Sequence, residues 1–387
     1  MVKQKHLMSK LAVFKNLFFI SSVALISSNV IAVEKNASVA IGPGYTLIVL
    51  SDGELWGWGN NASGSLGDGS TINRKVPVFI ANGFKQVATA GGPILAVKVD
   101  GSLWSWGQEY RNDDNSLPKI NKKPVQIGSG FAMVAQGTWE SIAVDNDGAL
   151  FGWGGVNAGC GLAMIDEEAG KRKLLAFPSK LNTGLGYKNV AVAESYAIAL
   201  KSDGALWSWG INGGGQLGRP DQSKYDSGFE CYPVRKIGDG FTSVATGASA
   251  FGVSLAIKMD GSLWGWGSGN SDALMGEHQM PVWKPILLGK GYTKVVIGGG
   301  RAFGIKTDGS LWAWGNNQDG FLGDGSRINQ KKPVKIGDDY IDVFAAQFSA
   351  IAIKKDGSIW TWGENSNGEL GDGTTIQRPM PIRLKLK

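Results

Sequence analysis

The stretch Asp52–Gly59 reads DGELWGWG, a tight turn followed by an aromatic strand. The pattern Asp-Gly-x-(Leu/Ile)-(Trp/Phe)-x-Trp-Gly occurs seven times, starting at Asp52, Asp100, Asp147, Asp203, Asp260, Asp308 and Asp356. The intervals between the copies are 48, 47, 56, 57, 48 and 48 residues. A period in this range, with several short strands in each unit, is typical of β-propellers. We therefore predict an all-β fold, a single seven-bladed β-propeller built from seven repeats of ~48–57 residues.

Each repeat contains the elements of a hairpin. In the first repeat, Thr46–Leu50 and Leu55–Gly59 are predicted strands on either side of the Asp52-Gly53 turn, and Val76–Ile80 is a further strand. Before each turn, large residues flank a smaller one, as in Leu95-Ala96-Val97. This alternation suggests that the strand before the turn is innermost, crowded around the ring axis. Thirteen of the fifteen tryptophans belong to the repeated pattern and are predicted to fill the wedges between blades.

The first 32 residues differ from the rest of the chain. Four lysines and no acidic residue surround the apolar stretch Leu17–Ile26, which small residues follow up to Ala32. This pattern predicts a signal peptide over residues 1–32, and an uncleaved membrane anchor is the alternative. The propeller then occupies residues 33–387, in a protein that is secreted or periplasmic. Without the leader, the formal net charge falls from +6 to +2, and no polybasic run for nucleic acid remains.

The residues for catalysis or metal binding are sparse. After the leader there are one histidine and two cysteines, and we predict no enzyme, no cofactor and no metal site. The Asp-Gly pairs at Asp68, Asp324 and Asp372 lack the alternating ligands of a Ca²⁺ loop and are predicted to be turns. Cys160 and Cys231 lie in long loops of neighbouring repeats. A disulfide between them and two unpaired thiols both fit the spacing.

The repeat resembles that of the regulator of chromosome condensation superfamily of seven-bladed propellers. The resemblance rests on the Asp-Gly turn, the Trp-Gly end and a following Asn-x-x-Gly-x-Leu-Gly, as in WGNNASGSLGDG after Gly57 and WGENSNGELGDG after Thr361. The superfamily includes exchange factors for the small GTPase Ran, scaffolds and secreted inhibitors of β-lactamase. Its repeats usually have His seven residues before the Asp. Here those positions are Tyr45, Pro93, Glu140, Tyr196, Val253, Arg301 and Ser349, so a His-dependent exchange surface is not carried over.

Departures from the repeat indicate where a partner would bind. The loop before the strand that precedes each turn and the loop after each Trp-Gly must share one face of the ring, which we call the loop face; the Asp-Gly turns lie on the opposite turn face. Repeats 2 to 5 carry irregular loops on the loop face. The loops of this face also contain aromatic and charged residues, which are typical of interface hot spots. The predicted partner-binding residues are Tyr45, Tyr110, Arg111, Trp139, Glu140, Glu194, Tyr196, Phe251, Arg301 and Phe348. The alternative for each aromatic residue is that it plugs its own blade.

Three functions remain open at this point. The first is an exported, monomeric, non-catalytic scaffold or inhibitor that binds a protein partner, such as a β-lactamase or a penicillin-binding protein. The second, implied by the resemblance, is a nucleotide-exchange factor for a Ran-type GTPase. The third is carbohydrate or cell-wall binding through exposed aromatic residues. The C-terminal strand Met380–Leu384 is expected to complete a blade together with N-terminal strands.

Overall fold

In a computed structural model of the chain, the described residues are 37–109, 119–138, 140–154, 175–220, 231–247, 252–268, 272–275 and 281–386. The predicted leader, Tyr110, Arg111, Trp139, Phe251 and Cys160 lie outside these residues, and only the backbone of Cys231 is described. Among the described residues, no helix has the length and apolar character needed to cross a membrane.

Seven four-stranded antiparallel sheets follow one another along the chain, each with its strands in chain order. Among the residues that the structure describes, a short 3-10 helix, Asp272–Leu274, belongs to the fifth blade. The strands of blades 1 to 3 are β1 Ser38–Gly42, β2 Tyr45–Val49, β3 Leu55–Gly59, β4 Arg74–Ala81, β5 Phe84–Ala88, β6 Ile94–Lys98, β7 Leu103–Gln108, β8 Ile120–Gly128, β9 Phe131–Gln136, β10 Glu140–Asp145, β11 Leu150–Gly154 and β12 Leu175–Lys180. Those of blades 4 to 7 are β13 Tyr187–Val192, β14 Tyr196–Lys201, β15 Leu206–Ile211, β16 Cys231–Gly238, β17 Phe241–Thr246, β18 Val253–Lys258, β19 Leu263–Gly267, β20 Val282–Gly289, β21 Tyr292–Gly298, β22 Arg301–Lys306, β23 Leu311–Gly315, β24 Gln330–Gly337, β25 Tyr340–Ala345, β26 Ser349–Lys354, β27 Ile359–Gly363 and β28 Arg378–Leu384. The seven-bladed propeller is therefore confirmed.

The innermost strand of each blade is the first one, and the prediction that the strand before each Asp-Gly turn is innermost is wrong. The first strands β1, β5, β9, β13, β17, β21 and β25 contact one another in sequence around the ring. The strand before the turn is the second of its blade. In β18, the small residues Ser254 and Ala256 pair with Trp266 and Trp264 across the hairpin. Small residues are therefore needed on this face because it carries the tryptophans, not because it lines the axis.

The second tryptophan of each repeat fills the wedge between blades, as predicted, whereas the first is only half-buried in five repeats, at Trp104, Trp207, Trp264, Trp312 and Trp360. Trp266 of blade 5 is fully buried and packs with Ile198, Leu200 and Leu206 of blade 4. Its indole Nε1 also donates a hydrogen bond to the carbonyl of Gln216 in the loop after β15, at 2.9 Å. Equivalent bonds to the preceding blade are made by Trp58, Trp106 and Trp314. Each of these indoles joins apolar packing with a directional bond that fixes the position of the neighbouring blade.

The Asp-Gly turns fix the other end of each hairpin. Gly53 adopts a φ of 86°, which the two-residue turn requires and which side-chain-bearing residues rarely adopt. In blade 2, the Asp100 carboxylate accepts hydrogen bonds from the amide and the hydroxyl of Ser102, and these bonds hold the pKa of Asp100 below its usual value. The Ser102 hydroxyl in turn accepts a bond from Trp104 Nε1 at 2.7 Å. The turn thus orients the first tryptophan of the repeat.

The ring closes by packing, without exchange of strands. Blade 1 contains only β1 to β4 and blade 7 only β25 to β28, so the expectation that the C-terminal strand completes a blade with N-terminal strands is wrong. Across the closing seam, Trp58 Nε1 and Thr46 Oγ1 both donate to the carbonyl of Glu369, at 2.7 and 2.9 Å. Ile48 and Ile351 share one buried cluster there. The described strands and those two hydrogen bonds across the seam lie within residues 38–384.

Candidate protein-binding loop face

The position seven residues before the Asp begins the second strand in every blade except the second, where Pro93 precedes β6. The Tyr45 hydroxyl lies 2.7 Å from Thr89 Oγ1 of blade 2. The Tyr196 hydroxyl donates to the Val253 carbonyl of blade 5 at 3.1 Å. Arg301 Nη1 donates to the Gln347 carbonyl of blade 7 at 2.7 Å. In these three blades, the side chain at this position links two neighbouring blades.

Burial changes the interpretation of the two tyrosines. Both Tyr45 and Tyr196 are buried, and burial raises the pKa of the Tyr196 phenol well above its ordinary value. The expectation that Tyr45 and Tyr196 present exposed rings for a partner is therefore wrong, and the alternative of an internal plug is correct. The physical reason is that the first strand of the next blade covers this position, which hairpin geometry within one repeat does not reveal.

We expect Tyr196→Ala to lower the free energy of unfolding by about 3–4 kcal/mol, since it opens a cavity between blades 4 and 5. Tyr196→Phe should cost only about 1 kcal/mol, because the Val253 carbonyl retains its bond from the Gly247 amide. Equilibrium unfolding in denaturant compares the two variants. Equal losses for both would show that the hydroxyl, and not the ring, holds the blades together.

Glu140 occupies the same position in blade 3 and is also buried. Burial raises the pKa of its carboxyl to about 7. Glu194, in the turn before Tyr196, is half-buried. Glu140 is thus an internal titrating group, and the expectation that it is exposed to a partner is wrong.

Arg301 and Phe348 form the part of the predicted site that the structure brings together. Phe321 is buried beneath them; the Arg301 guanidinium lies 5.1 Å from the centre of its ring, and the Phe348 ring lies edge-on to it at 6.3 Å. Phe348 remains 45 % exposed. Arg301 itself is buried, which lowers its pKa to about 10 while Asp319 opposes that shift, so the side chain is charged at neutral pH.

Backbone contacts hold this cluster in place. Arg301 Nε donates to the Asn316 carbonyl at 3.2 Å, and the Glu364 amide donates to the Phe348 carbonyl at 2.9 Å. A Cβ added at Gly298 would lie 2.2 Å from the Ala346 carbonyl oxygen, so only glycine lets blades 6 and 7 approach this closely here. The exposed Phe348 ring therefore rests on a buried and fixed support.

Phe321 is the member of this cluster that the sequence analysis missed. The corresponding residues of other blades are Ser65, Gln216 and Glu369, and the Gln216 and Glu369 side chains accept amide hydrogen bonds within their own loops. The replacement of a polar residue by phenylalanine in one repeat is the signal that could have found it. The irregular loops of repeats 2 to 5, with Tyr110, Arg111, Trp139 and Phe251, lie outside the described residues and stay predictions.

Among the described residues, no group of three His, Cys, Asp or Glu side chains is placed to hold a metal ion. The Asp68 carboxylate accepts bonds from Asn61, Ser70 and Arg74, and these bonds hold its pKa below the usual value against the opposing effect of burial. The Asp68 carboxylate thus holds its own loop closed, and the donors that it accepts hydrogen bonds from are groups of the protein. The arrangement can present a surface to a partner.

These features define a seven-bladed propeller with a candidate binding surface on its loop face. Models of the regulator of chromosome condensation (RCC1) repeat match residues 52–97, 203–250, 308–353 and 356–387, and a second model with the same description matches 37–65 and 292–320. Together these segments cover more than half of the chain. The chain belongs to the RCC1-repeat family.

Curated relatives match over part of their length. Protein pim1 of Schizosaccharomyces pombe is 30 % identical over 139 residues, which are 33 % of this chain and 25 % of that protein. The mitochondrial RCC1 domain-containing protein RUG3 of Arabidopsis thaliana is 32 % identical over 102 residues, 26 % of this chain and 22 % of that protein. The matched segments thus span about a quarter of each relative.

Solved structures resemble the whole ring. Human WBSCR16 superposes with a TM-score of 0.69 at 19 % identity, covering 86 % of this chain and 94 % of that one. Prp20p of Saccharomyces cerevisiae gives 0.68 at 21 % identity, covering 83 % of each chain. At these identities, the likeness concerns the fold alone.

Proposed function

We propose that this protein is an exported, non-catalytic propeller that binds a protein partner through its loop face. The observation that carries the proposal is the exposed Phe348 ring, which packs edge-on against buried Phe321, itself covered by the Arg301 guanidinium. Exposed aromatic residues that are held rigid are the usual anchors of protein interfaces. The leader predicted from the sequence supports the exported location.

Rigidity is what the fold contributes to binding. Immobilising a flexible side chain on association costs about 0.5–1.5 kcal/mol, and Phe348 has lost much of that freedom before a partner arrives. The neighbouring Gln347 side chain is exposed, and Asp319 is exposed on the adjacent loop. This surface therefore combines an apolar anchor with a polar rim, the composition of a specific interface.

The family favours a second candidate function, nucleotide exchange on a Ran-type GTPase. The structure of Prp20p is reported with its binding properties to Gsp1p and histones, and yeast RCC1 (Prp20) is also known bound to Kap60. These statements concern the yeast protein. They support a protein partner for this chain more strongly than the carbohydrate alternative, which would need exposed aromatic platforms that Tyr45 and Tyr196 do not form.

Phe348→Ala is expected to weaken partner binding about tenfold or more, because it removes the anchor of the interface. The partner is first captured with residues 33–387 from cell-envelope extracts, alongside purified β-lactamase, penicillin-binding protein and a Ran-type GTPase as defined probes. Affinity is then measured by surface plasmon resonance, and nucleotide release from the loaded GTPase is followed by fluorescence.

The matched control is Met259→Ala, which removes an exposed apolar side chain from the turn face. It should leave both affinity and unfolding unchanged. Normal binding by Phe348→Ala together with weakened binding by Met259→Ala would place the interface on the turn face and overturn the proposal. Nucleotide release that depends on Phe348 would make exchange the function of the same surface.

A further inference from the structure

Three consecutive blades share one loop that the proposed function does not use. Blades 6, 7 and 1 follow one another around the ring, and after β23, β27 and β3 they carry the sequences LGDGSRIN, LGDGTTIQ and LGDGSTIN. Each loop ends with an isoleucine that faces solvent: Ile328 is 69 %, Ile376 60 % and Ile72 62 % exposed. The exposed positions of such turns normally carry polar residues. An exposed isoleucine at the same position of three loops therefore indicates that the three residues share a function.

The fold holds these isoleucines in place. The Ile72 amide donates to Ser70 Oγ, and Ser70 Oγ donates to the Asp68 carboxylate, at 3.2 and 2.7 Å. Buried Asn61 binds the same carboxylate and the Leu66 amide. Ile328 and Ile376 are held by the same arrangement around Asn317 and Asn365. The exposed side chains therefore sit on a rigid base instead of a loose loop.

Each of these loops lies against the outer strand of the next blade. The Gly325 amide donates to the Pro379 carbonyl of β28, and the Gly373 amide donates to the Lys75 carbonyl of β4, at 3.0 and 2.9 Å. The adjoining strand residues Met380 and Val76 are exposed. We call the surface made by the three isoleucines with Val76, Phe79 and Met380 the apolar rim; Phe79 is exposed on β4 as well.

Basic residues accompany the apolar rim. Every outer strand contains lysine or arginine, and the sequences of these seven strands contain no aspartate or glutamate. The sequence contains no polybasic run after the leader, but residues far apart in sequence gather on the outer strands. The exposed basic residues of these strands are Lys75, Lys122, Lys123, Lys180, Arg235, Lys236, Lys284, Lys331, Lys332, Lys335 and Arg383.

We infer that the apolar rim docks the propeller edge-on onto an anionic lipid bilayer. Lysine and arginine side chains attract anionic headgroups, and aliphatic side chains on a fixed base enter the boundary between headgroups and acyl chains. An edge-on attachment through blades 6, 7 and 1 leaves the loop face open, so the inference does not depend on the identity of a protein partner.

The composition of the rim favours lipid over other polyanions or proteins. Protein interfaces are depleted in lysine, whereas nine of the eleven exposed basic residues of the outer strands are lysines, and the apolar rim contains no tryptophan or tyrosine. Nucleic acid needs cations for its phosphates, and regularly spaced exposed isoleucines add nothing to such contacts. A surface that mixes exposed aliphatic side chains with lysine matches the chemistry of an anionic membrane interface.

The test is flotation of residues 33–387 with vesicles of phosphatidylcholine alone and of equal parts phosphatidylcholine and phosphatidylglycerol. The protein should float with the anionic vesicles only, and less so at about 1 M salt, where charge attraction is screened. The triple variant Ile72→Ser, Ile328→Ser, Ile376→Ser should bind about tenfold less, since it keeps the backbone hydrogen bonds and loses the inserting groups. The pair Lys75→Glu, Lys332→Glu should lose binding as well.

The matched controls make the same kinds of substitution at exposed positions of the turn face. They are the double variant Val99→Ser, Met259→Ser and the double variant Lys290→Glu, Lys355→Glu. These should float like the wild type. Wild-type protein that ignores anionic vesicles, or a triple isoleucine variant that floats normally, would overturn the inference. So would binding of a DNA duplex that the lysine pair abolishes and the isoleucine triple leaves intact, which would assign the basic strands to nucleic acid.

Discussion

Trp58→Ala is expected to lower the free energy of unfolding by about 4–5 kcal/mol. Trp58 is fully buried at the seam between the first and last blades, and its removal leaves a large cavity there. The variant also loses the 2.7 Å bond from Nε1 to the Glu369 carbonyl. Because no strand crosses this seam, the ring is closed by contacts such as those of Trp58 and by the hydrogen bond from the Gly373 amide to the Lys75 carbonyl. Denaturant unfolding followed by tryptophan fluorescence measures the loss.

Two variants separate the contributions at the seam. Trp58→Phe should cost only about 1–2 kcal/mol, because the Glu369 carbonyl still accepts the Thr46 hydroxyl. Trp106→Ala removes an equally buried indole that bonds to Ser65 within the body of the ring, and it should cost about as much as Trp58→Ala. A much smaller loss at Trp58 than at Trp106 would mean that the seam is already open in solution.

The sequence predicted the number of blades and the hairpins because both depend on local chemistry. An Asp-Gly turn such as Asp100-Gly101 requires a positive φ, and the Trp-x-Trp strand after it has a period of two. The wedge position of Trp266 also follows, since a large apolar side chain repeated in every unit must be buried somewhere. The turn, the strand and the burial of the tryptophan can each be predicted from a single repeat, and counting the repeats gives the number of blades.

The order of the strands within a blade and the burial of the loop-face residues could not be predicted from a single repeat. Whether the β18 position of Ala256 faces the axis or a neighbouring blade depends on the packing of two repeats. Likewise, Tyr196 looks like an exposed loop aromatic until blade 5 is placed over it, and Lys75 looks like an isolated cation until the outer strands are brought together. Contacts between repeats decide these cases, and they are absent from any single unit.

Stability is expected to fall by roughly 2–3 kcal/mol between about pH 5 and about pH 8, because Glu140 is buried without its charge. Burial raises the pKa of this carboxyl from 4.5 to about 7. Between those two pH values the folded state keeps a proton that the unfolded state has released, so each rise in pH favours unfolding. Below the lower value both states are protonated, and above the upper value both are ionised. Denaturant unfolding at a series of pH values measures the slope.

Glu140→Gln should remove most of this slope and leave the protein at least as stable as the wild type at about pH 8, since the amide is never ionised. Asp342→Asn is the matched control: burial raises the pKa of Asp342 as well, while Lys294 beside it lowers that pKa, and the slope that Glu140 causes should remain in this variant. The carboxylates of Asp68, Asp260 and Asp372 have lowered pKa values, so the stability that they contribute is constant at neutral pH and is lost only as the pH falls into acid. A flat profile in the wild type, or an unchanged slope in Glu140→Gln, would show that Glu140 is ionised and paired inside the ring.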